Sequence, residues 1–280
     1  MASLRYVVAD VFTDTPLTGN QLAVFTDGRE LAEESMQALA LEVGFSESVF
    51  VLPAEGAGDV RIRIFTPRVE LAFAGHPVLG TAFVLAQPLQ RDVIRLETGS
   101  GVVPVELERD DSGAISFGRM TQPVPTFAPY ERAEELLAAL GVAESELPVE
   151  RYDNGVTPTY VQLQSEADVA ALRPDLGALE ALEVMVSCSA GAGVRWKTRL
   201  FAPYGGVAED PATGSAAGPL ACHLCRHGLV EWGEWIEIVQ GVELGRPSTL
   251  FACAHGRDGS IERVEVGGRA VVVARGEYKI

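Results

Sequence analysis

The chain has 280 residues, of which 47% are hydrophobic and 22% charged, and its 39 acidic against 22 basic side chains give a formal net charge of −17. This composition is typical of a folded protein with an ample core and excludes a disordered one. The negative charge repels phosphate backbones and anionic lipid, so we expect neither a nucleic-acid nor a membrane partner. A small anionic substrate remains compatible, because local donors and dipoles set the chemistry of a site.

The start of the chain and its cysteines both predict a cytoplasmic protein. The first residues have no basic stretch followed by a long apolar one, and no apolar run reaches the roughly 18 residues that a membrane span needs. The four cysteines, Cys188, Cys222, Cys225 and Cys253, all lie in the second half. In a chain of this size without a secretion signal, free thiols are expected rather than a disulfide framework.

The first half of the chain is predicted to run strand, helix, strand, buried helix, strand. After a strand-like start, an amphipathic helix is predicted over 31–43 and an alternating strand over 61–65. Pro67 then ends that strand, because proline cannot continue a sheet ladder. A glycine-started helix over 74–86 is rich in small and apolar residues, which indicates burial on most sides, and strands follow over 94–107.

The second half repeats this order. A helix is predicted over 168–182, a basic-apolar strand over 197–201, a second glycine-started helix over 213–224 and strands over 235–252. The period is about half the chain, far longer than that of a solenoid repeat. It therefore indicates a duplicated domain.

These patterns predict an α+β fold with two similar domains in tandem. The proline-bearing stretch 122–126 is a plausible linker, so the domains are placed at 1–124 and 125–280, with the last strand able to return to the first domain. Each domain is predicted to be a curved, mostly antiparallel sheet around a central apolar helix. A pair of domains has a cleft, and the two glycine loops are the candidates to face each other across it.

The glycine loops start at Gly75 and Gly214 and place backbone N–H groups at helix N-termini, where the first donors lack intrahelical partners and the dipole is positive. Two such helix starts would bind a carboxylate well, and Ser215 would add a hydroxyl group, either for the ligand or as a helix cap. The same glycines would also serve close packing of a helix on a sheet, since short glycine motifs are common.

Three titratable residues lie in or beside these segments. Glu47 sits between a helix and an apolar strand, where its carboxyl pKa could be raised for proton transfer, and it also fits a solvated glutamate at a strand edge. Asp210 leads into the second loop, although Asp before Pro is also a common turn device. His76 lies in the first loop, where a functional role and ordinary packing both remain open.

A dense group of cysteines and histidines, formed by Cys222, His223, Cys225 and His227, suggests a metal site at first sight. At about 100° per residue, however, the two cysteines fall on one side of a helix and the two histidines nearly opposite. Four such ligands cannot converge on one ion, so buried thiols and outward-facing histidines are predicted instead. The motifs of nucleotide cofactors are absent from the sequence, so it predicts no dedicated nucleotide site.

Segments along nearly the whole chain resemble the phenazine-biosynthesis PhzF family, whose fold is shared with diaminopimelate epimerase. The two loop motifs, occurring together in this order, are highly specific. The matching segments are Gly19-Asn20 with 22–25, 46–50, 64–67 with 75–81, 190–193, 210–218 and 241–248.

The resemblance implies a homodimeric isomerase without cofactors, whose two halves close over a substrate in the cleft. The namesake reaction of the family converts trans-2,3-dihydro-3-hydroxyanthranilate into a ketone on the way to phenazines. One carbon loses a proton and another gains it, and the position matching Glu47 is the general acid/base for both steps. The positions that match residues lining the family's site are Gly75, His76, Asp210, Gly214 and Ser215.

Other functions are weighed against this one. Related epimerases and racemases place a cysteine just before each glycine loop, where this chain has Ala74 and Thr213. A racemase with two thiols is therefore not expected. An isomerase or epimerase for another small amino or hydroxy acid remains the nearest alternative, and a binding protein without catalysis is a more distant one.

Overall fold

The structure is a computed structural model that describes residues 3–257 and 259–280, with more of them in strands than in helices. None of the helices described there is long and apolar enough to cross a membrane. The helices are α1 (Glu33–Val43), α2 (Gly75–Leu89), α3 (Ala133–Leu140), α4 (Glu166–Ala171), α5 (Leu176–Ala181) and α6 (Gly214–Arg226), with short 3-10 turns at Pro203–Gly205 and Val242–Leu244. The strands are β1 (Ser3–Val11), β2 (Asn20–Phe25), β3 (Glu47–Leu52), β4 (Val60–Phe65), β5 (Glu70–Leu71), β6 (Val93–Thr98), β7 (Gly101–Arg109), β8 (Ile115–Gln122), β9 (Thr126–Pro129), β10 (Glu150–Asp153), β11 (Pro158–Gln162), β12 (Met185–Ala192), β13 (Arg195–Ala202), β14 (Val207–Asp210), β15 (Trp235–Gln240), β16 (Ser248–Arg257), β17 (Ser260–Gly268) and β18 (Ala270–Lys279).

The chain divides into two compact units. Unit 1 comprises Met1–Thr121 and Gly267–Ile280, and unit 2 comprises Gln122–Val266. The division after Thr121 lies slightly before the predicted boundary after residue 124. The sequence placed the end of the chain in the second domain, with the last strand able to return to the first. In the structure this segment belongs to unit 1, because β18 pairs antiparallel with β1 along its length.

In unit 1 the sheet mixes antiparallel and parallel pairs. β1 pairs antiparallel with β2, β2 runs parallel to β3, and β3 is antiparallel to β4. β4 is antiparallel to the short β5 and parallel to β6, and β6 is antiparallel to β7. Parallel neighbours need a crossover connection, which α1 supplies between β2 and β3 and α2 supplies between β4 and β6.

Unit 2 has the same pairing pattern. β10 is antiparallel to β11, β11 parallel to β12, and β12 antiparallel to β13. β13 is antiparallel to the short β14 and parallel to β15, and β15 is antiparallel to β16. Each strand from β10 to β16 thus has a counterpart among β1 to β7 with the same sense of pairing. This correspondence is what a duplicated domain produces.

The central helices α2 and α6 are buried over nearly their whole length, as their sequences, rich in small and apolar residues, predict. Each helix also lies close to the sheet of its own unit at a glycine. A Cβ at Gly80 would lie 2.7 Å from the Leu22 side chain, and one at Gly218 would lie 2.5 Å from the Val264 side chain. Any larger residue at these two positions would require either these side chains or the helix to shift.

The single helix predicted over 168–182 is in fact two short helices, α4 and α5. Pro174 lies between them and explains the break, because proline lacks a backbone N–H and disfavours helical geometry in the residue before it. Both pieces begin with a side-chain cap: Ser165 accepts from the N–H of Asp168, and Asp175 accepts from the N–H of Ala178.

Candidate active site

Glu47 is the first residue of β3, and the parallel pairing with β2 places Leu22 opposite it. The start of β2 therefore lies at the same end of the sheet as Glu47. The first turn of α2 reaches this end as well, because Nε2 of His76 lies 3.4 Å from Oε2 of Glu47. The Glu47 side chain is 15% exposed and the His76 side chain 3% exposed. The carboxyl group of Glu47 is thus partly accessible to a ligand and lies beside a buried imidazole.

The imidazole of His76 is neutral. Burial lowers its pKa to about 3, opposed only in part by a hydrogen bond to the backbone of Gln21. The contact between Glu47 and His76 is therefore not an ion pair. A neutral imidazole has one ring proton, so it donates from one nitrogen and accepts at the other.

Asn20 extends this group of side chains and is only 1% exposed. Its amide nitrogen Nδ2 lies 3.3 Å from Nδ1 of His76, and the hydroxyl group of Ser46 donates to its Oδ1 at 3.0 Å. Asn20 was not among the predicted site residues, although its segment was part of the family resemblance. The pairing of β2 with β3 brings it to the site, and a local sequence pattern does not reveal that pairing.

In unit 2, Asp210 is the last residue of β14 and is 7% exposed. The loop that follows it is held by the buried side-chain amide of Gln240. The Thr213 hydroxyl group donates to Oδ2 of Asp210. Gln240 donates to the Asp210 carbonyl at 2.8 Å and to Oγ1 of Thr213 at 3.1 Å, and its own Oε1 accepts from the Thr213 N–H at 3.3 Å. Gln240 thereby fixes the loop that leads into α6.

Ser215 is the second residue of α6, and the N-cap is Thr213, so capping is not the role of Ser215. The first turn of α6 has no acidic residue of its own, and the positive end of a helix dipole favours an anion. Pro219 lacks the N–H that would bond to the Ser215 carbonyl, and Nδ2 of Asn154 donates to this carbonyl instead, at 3.0 Å. The start of the helix is thus held in place.

The six predicted site residues fall into two groups, one in each unit. Glu47 and His76 are brought together in space by unit 1. Asp210 and Ser215 lie near each other along the chain, at the start of α6 in unit 2. The residues of unit 1 are Glu47, Gly75 and His76, and those of unit 2 are Asp210, Gly214 and Ser215.

A second cluster of titratable side chains surrounds Glu150 in unit 2. Its Oε2 accepts from Arg226 at 2.7 Å, and Nδ1 of His223 and Nε2 of His227 each lie 3.2 Å from it. The prediction that both histidines face outward is wrong for His223, which is fully buried. The physical reason is that α6 is covered on nearly all sides, and the His223 ring stacks on Tyr160.

Glu150, His223 and His227 have ligand atoms within 4.8 Å of one another, a spacing that one metal ion could span. Arg226, however, already donates to the same carboxylate oxygen. Burial alone would raise the pKa of Glu150, but the hydrogen bonds from Arg226 and His227 outweigh it and lower the pKa to about 2. The carboxylate is therefore charged and neutralised by a guanidinium group, which would repel a cation.

The four cysteines are buried free thiols. Burial raises the pKa of Cys188 and of Cys225 to about 12 and that of Cys253 to about 11, and it also raises the pKa of Cys222. Protonated, buried thiols are poor bases and poor nucleophiles. The residues just before α2 and α6 are Ala74 and Thr213, so these positions offer no thiol for proton transfer.

Comparison with known proteins agrees with this fold. The chain matches the family model PhzC-PhzF, described as phenazine biosynthesis-like protein, over residues 9–276. It is 50% identical to the trans-2,3-dihydro-3-hydroxyanthranilate isomerase of Pseudomonas aeruginosa, over 97% of this chain and 98% of that protein. A solved PhzF-family structure from Bacillus anthracis superimposes with a TM-score of 0.87, 25% identity and complete coverage of both chains. A hydroxyproline epimerase from Agrobacterium vitis, 14% identical, shares the fold with a TM-score of 0.70, covering 98% of this chain and 92% of that one.

These likenesses confirm the predicted epimerase-like α+β fold and place the protein among the isomerases. The chain belongs to the PhzC-PhzF family of phenazine biosynthesis-like proteins.

Proposed function

We propose that this protein is a trans-2,3-dihydro-3-hydroxyanthranilate isomerase in which Glu47 is the general acid and base. The observation that supports this role is the partly exposed Glu47 carboxyl group, 3.4 Å from a buried imidazole. The identity of 50% over nearly the full length supports the substrate, since the relative in Pseudomonas aeruginosa is named for it.

The chemistry requires a proton to move between carbon atoms. Conversion of a ring carbon that bears a hydroxyl group into a ketone, without an oxidant, requires the hydrogen on that carbon to leave. Glu47 as a carboxylate takes this proton, and the electron pair enters the conjugated system of the ring. Glu47 as a carboxylic acid then returns a proton to another ring carbon. The resulting enol becomes the ketone by moving its hydroxyl proton to carbon, so atoms and electrons balance.

A neutral His76 is compatible with Glu47 acting as a base. A protonated imidazole 3.4 Å from the carboxylate would stabilise its charged form and weaken it as a base. Burial lowers the pKa of His76 to about 3, which prevents this. The uncharged imidazole then packs beside the carboxyl group and leaves it basic enough to remove a proton from carbon.

The binding groups are assigned to both glycine loops. The N–H groups of Gly214 and Ser215, with the Ser215 hydroxyl group, form the start of a helix and suit the carboxylate of the substrate. Asp210, Gly75 and His76 are assigned to its remaining polar groups. These assignments follow the residues that match the family's site.

Replacing Ser215 by alanine is expected to raise KM by about 10- to 100-fold, because the variant loses one charge-assisted hydrogen bond to the substrate carboxylate. The value of kcat should change little, because the bond acts on ground state and transition state alike. The melting temperature should also stay close to that of the wild type, since Thr213 and not Ser215 is the N-cap. Steady-state kinetics and a thermal melt on the same variant measure both.

Ser189→Ala is the matched control. Ser189 is a buried hydroxyl group of unit 2 that donates to Gln162 at 2.7 Å and has no assigned role in binding. Its loss should lower the melting temperature and leave KM unchanged. A Ser215→Ala protein with a lowered melting temperature and an unaltered KM would contradict the binding role.

The substrate assignment is tested with the purified protein and the named dihydrohydroxyanthranilate in D₂O. We expect the substrate to be consumed and deuterium to appear at carbon in the product. Addition of a strong chelator should leave the rate unchanged. Turnover of proline or diaminopimelate with no turnover of the named substrate would favour the alternative isomerase. Loss of activity with the chelator, restored by one metal, would contradict the expectation of a reaction without a metal.

We further propose a homodimer that acts in the cytoplasm on a small anionic substrate, without nucleic-acid or membrane partners. The net charge of −17 supports the last point, and four protonated thiols fit a reducing compartment. Light scattering on the eluting protein should give the mass of two chains. A mass of one chain at micromolar concentration would exclude the dimer.

A further inference from the structure

Gln122 is the last residue of β8 and is only 3% exposed, and its side chain reaches the start of α6. Its amide nitrogen Nε2 donates to the carbonyl of Gly214 at 2.8 Å. We propose that Gln122 is a positioning residue, which holds the peptide group between Gly214 and Ser215 so that its N–H is directed at the carboxylate of the substrate. This role rests on the carboxylate binding proposed above for Gly214 and Ser215.

The orientation of the Gln122 amide follows from its surroundings. A backbone carbonyl only accepts hydrogen bonds, so the nitrogen of the amide must face Gly214. The oxygen Oε1 then lies 3.5 Å from Nδ2 of Asn154, which is a donor. Gly218 makes room for this arrangement, since a Cβ there would lie 2.4 Å from Oε1 of Gln122. The missing side chain at Gly218 thus lets a buried amide reach a carbonyl one helical turn earlier.

Two further carbonyls at the start of α6 also accept from buried side chains. Nδ2 of Asn154 donates to the Ser215 carbonyl at 3.0 Å, and the Tyr160 hydroxyl group donates to the Ala216 carbonyl at 2.7 Å. Asn154 is 3% exposed and Tyr160 is fully buried. With that of Gly214, three consecutive carbonyls of the first turn are therefore held by side chains of unit 2.

The Gln122 contact differs from the other two in what its peptide group can still donate. Each carbonyl shares a planar peptide group with the N–H of the next residue. The N–H groups of Ala216 and Ala217 share planes with the other two carbonyls, and both donate to the Thr213 carbonyl. The N–H of Ser215 shares its plane with the carbonyl that Gln122 holds, and it is one of the helix-start donors that a helix does not satisfy itself. Gln122 therefore acts on a peptide group whose N–H suits a ligand.

This peptide group needs a fixed direction because it follows a glycine. Glycine restricts its backbone angles least of all residues, so the plane between Gly214 and Ser215 can rotate where the helix begins. The C=O and N–H of a trans peptide point in opposite directions, so a donor at the Gly214 oxygen also fixes the direction of the Ser215 N–H. The bond from Gln122 polarises the peptide group as well, and such polarisation strengthens a neighbouring hydrogen bond by about 10–30%.

Calorimetric titration with two probes tests this role. The probe 3-hydroxyanthranilate is the aromatic analogue of the named substrate and has its carboxylate, whereas 2-aminophenol is the same ring without the carboxylate. Gln122→Met keeps a side chain of similar length and removes the donor. Its Kd for 3-hydroxyanthranilate should rise by about 3- to 10-fold, and its Kd for 2-aminophenol should stay unchanged, because Gln122 acts through the carboxylate site. The value of KM should rise to a similar extent with little change in kcat.

Tyr160→Phe is the matched control, since it removes a buried donor from another carbonyl of the same helical turn. The N–H in that peptide group, on Ala217, already donates to Thr213. Tyr160→Phe should therefore lower the melting temperature and leave both Kd values unchanged. An equal rise of both Kd values in Gln122→Met, no rise at all, or the same selective rise in Tyr160→Phe would overturn the assignment.

A crystal structure of the wild type with 3-hydroxyanthranilate decides the question even if Gln122→Met does not fold. The carboxylate should accept from the Ser215 N–H while Nε2 of Gln122 remains on the Gly214 carbonyl. A carboxylate bound elsewhere, or a Gln122 amide turned away from Gly214, would overturn the assignment.

Failure of this role is distinguishable from failure of the proposed function. If the wild type binds both probes with equal affinity, the carboxylate binding assigned to Gly214 and Ser215 fails, and the role of Gln122 fails with it. The acid/base role of Glu47 is tested separately by Glu47→Gln. If Ser215→Ala weakens the binding of 3-hydroxyanthranilate alone while Gln122→Met binds both probes as the wild type does, only the role of Gln122 is refuted.

Discussion

Replacing Glu47 by glutamine is expected to lower kcat by about 10²–10⁴-fold, because this is the usual contribution of a general acid/base. One carboxyl group serves both proton steps, so the loss should lie at the upper end of this range. The fold should survive, because Glu47 is the first residue of β3 and its side chain is partly exposed. Binding of a substrate analogue should stay near the wild-type affinity. Steady-state kinetics, calorimetry with the analogue and a thermal melt measure these quantities.

Glu42→Gln is the matched control, since Glu42 is an exposed glutamate on the neighbouring helix α1. It carries the same chemical change and should behave as the wild type. The Glu47→Gln protein should also fail to exchange substrate hydrogen with D₂O. Near wild-type turnover or exchange in that variant would remove Glu47 from the mechanism.

Replacing Glu150 by glutamine is expected to destabilise unit 2 by about 3–5 kcal/mol, the usual cost of leaving one partner of a buried ion pair uncompensated. The Glu150 side chain is 9% exposed and that of Arg226 14% exposed, so solvent cannot replace the lost charge. His223, His227 and the Tyr152 hydroxyl group also lie at Oε2 of Glu150. Equilibrium unfolding in urea, monitored by tryptophan fluorescence, measures the change.

The loss of stability caused by Glu150→Gln should become smaller as the pH falls. The pKa of Glu150 is lowered from 4.5 to about 2 in the folded protein, so its stabilising contribution is fully present above pH 4.5 and is lost as the pH falls towards 2. The difference between wild type and variant should therefore shrink below pH 4.5. Glu135→Gln breaks an exposed pair with Arg132 and should leave the free energy of unfolding nearly unchanged at any pH. A Glu150 variant as stable as this control would contradict the argument from burial.

The repeated order of elements was predictable because it rests on local patterns. Glycines at the start of α2 and α6, followed by segments rich in small and apolar residues, identify two buried helices without knowledge of their surroundings. The break at Pro174 is also a local signal, and the prediction of one helix over 168–182 gave it too little weight. The orientation of His223 was not predictable in this way, because its partner Glu150 lies on a distant strand.

The site was predictable only in part for the same reason. Glu47, His76 and Asp210 were identified from short segments and the family resemblance. The contact between Glu47 and His76 depends on where β3 and the start of α2 meet in space. Asn20 and Gln240 each join segments that are far apart in sequence. Side chains that hold a site together are therefore harder to read from sequence than side chains that carry its chemistry.

The pairing of β1 with β18 has a consequence for synthesis on the ribosome. Unit 2 is continuous, so its 122–266 segment is complete while the last strand is still being made. Unit 1 emerges first but lacks the neighbour of β1 until residues 270–279 have been translated. One edge of β1 therefore stays unpaired until β18 has been translated, although most of unit 1 is synthesised before unit 2. Order of synthesis and order of completion are reversed in this molecule.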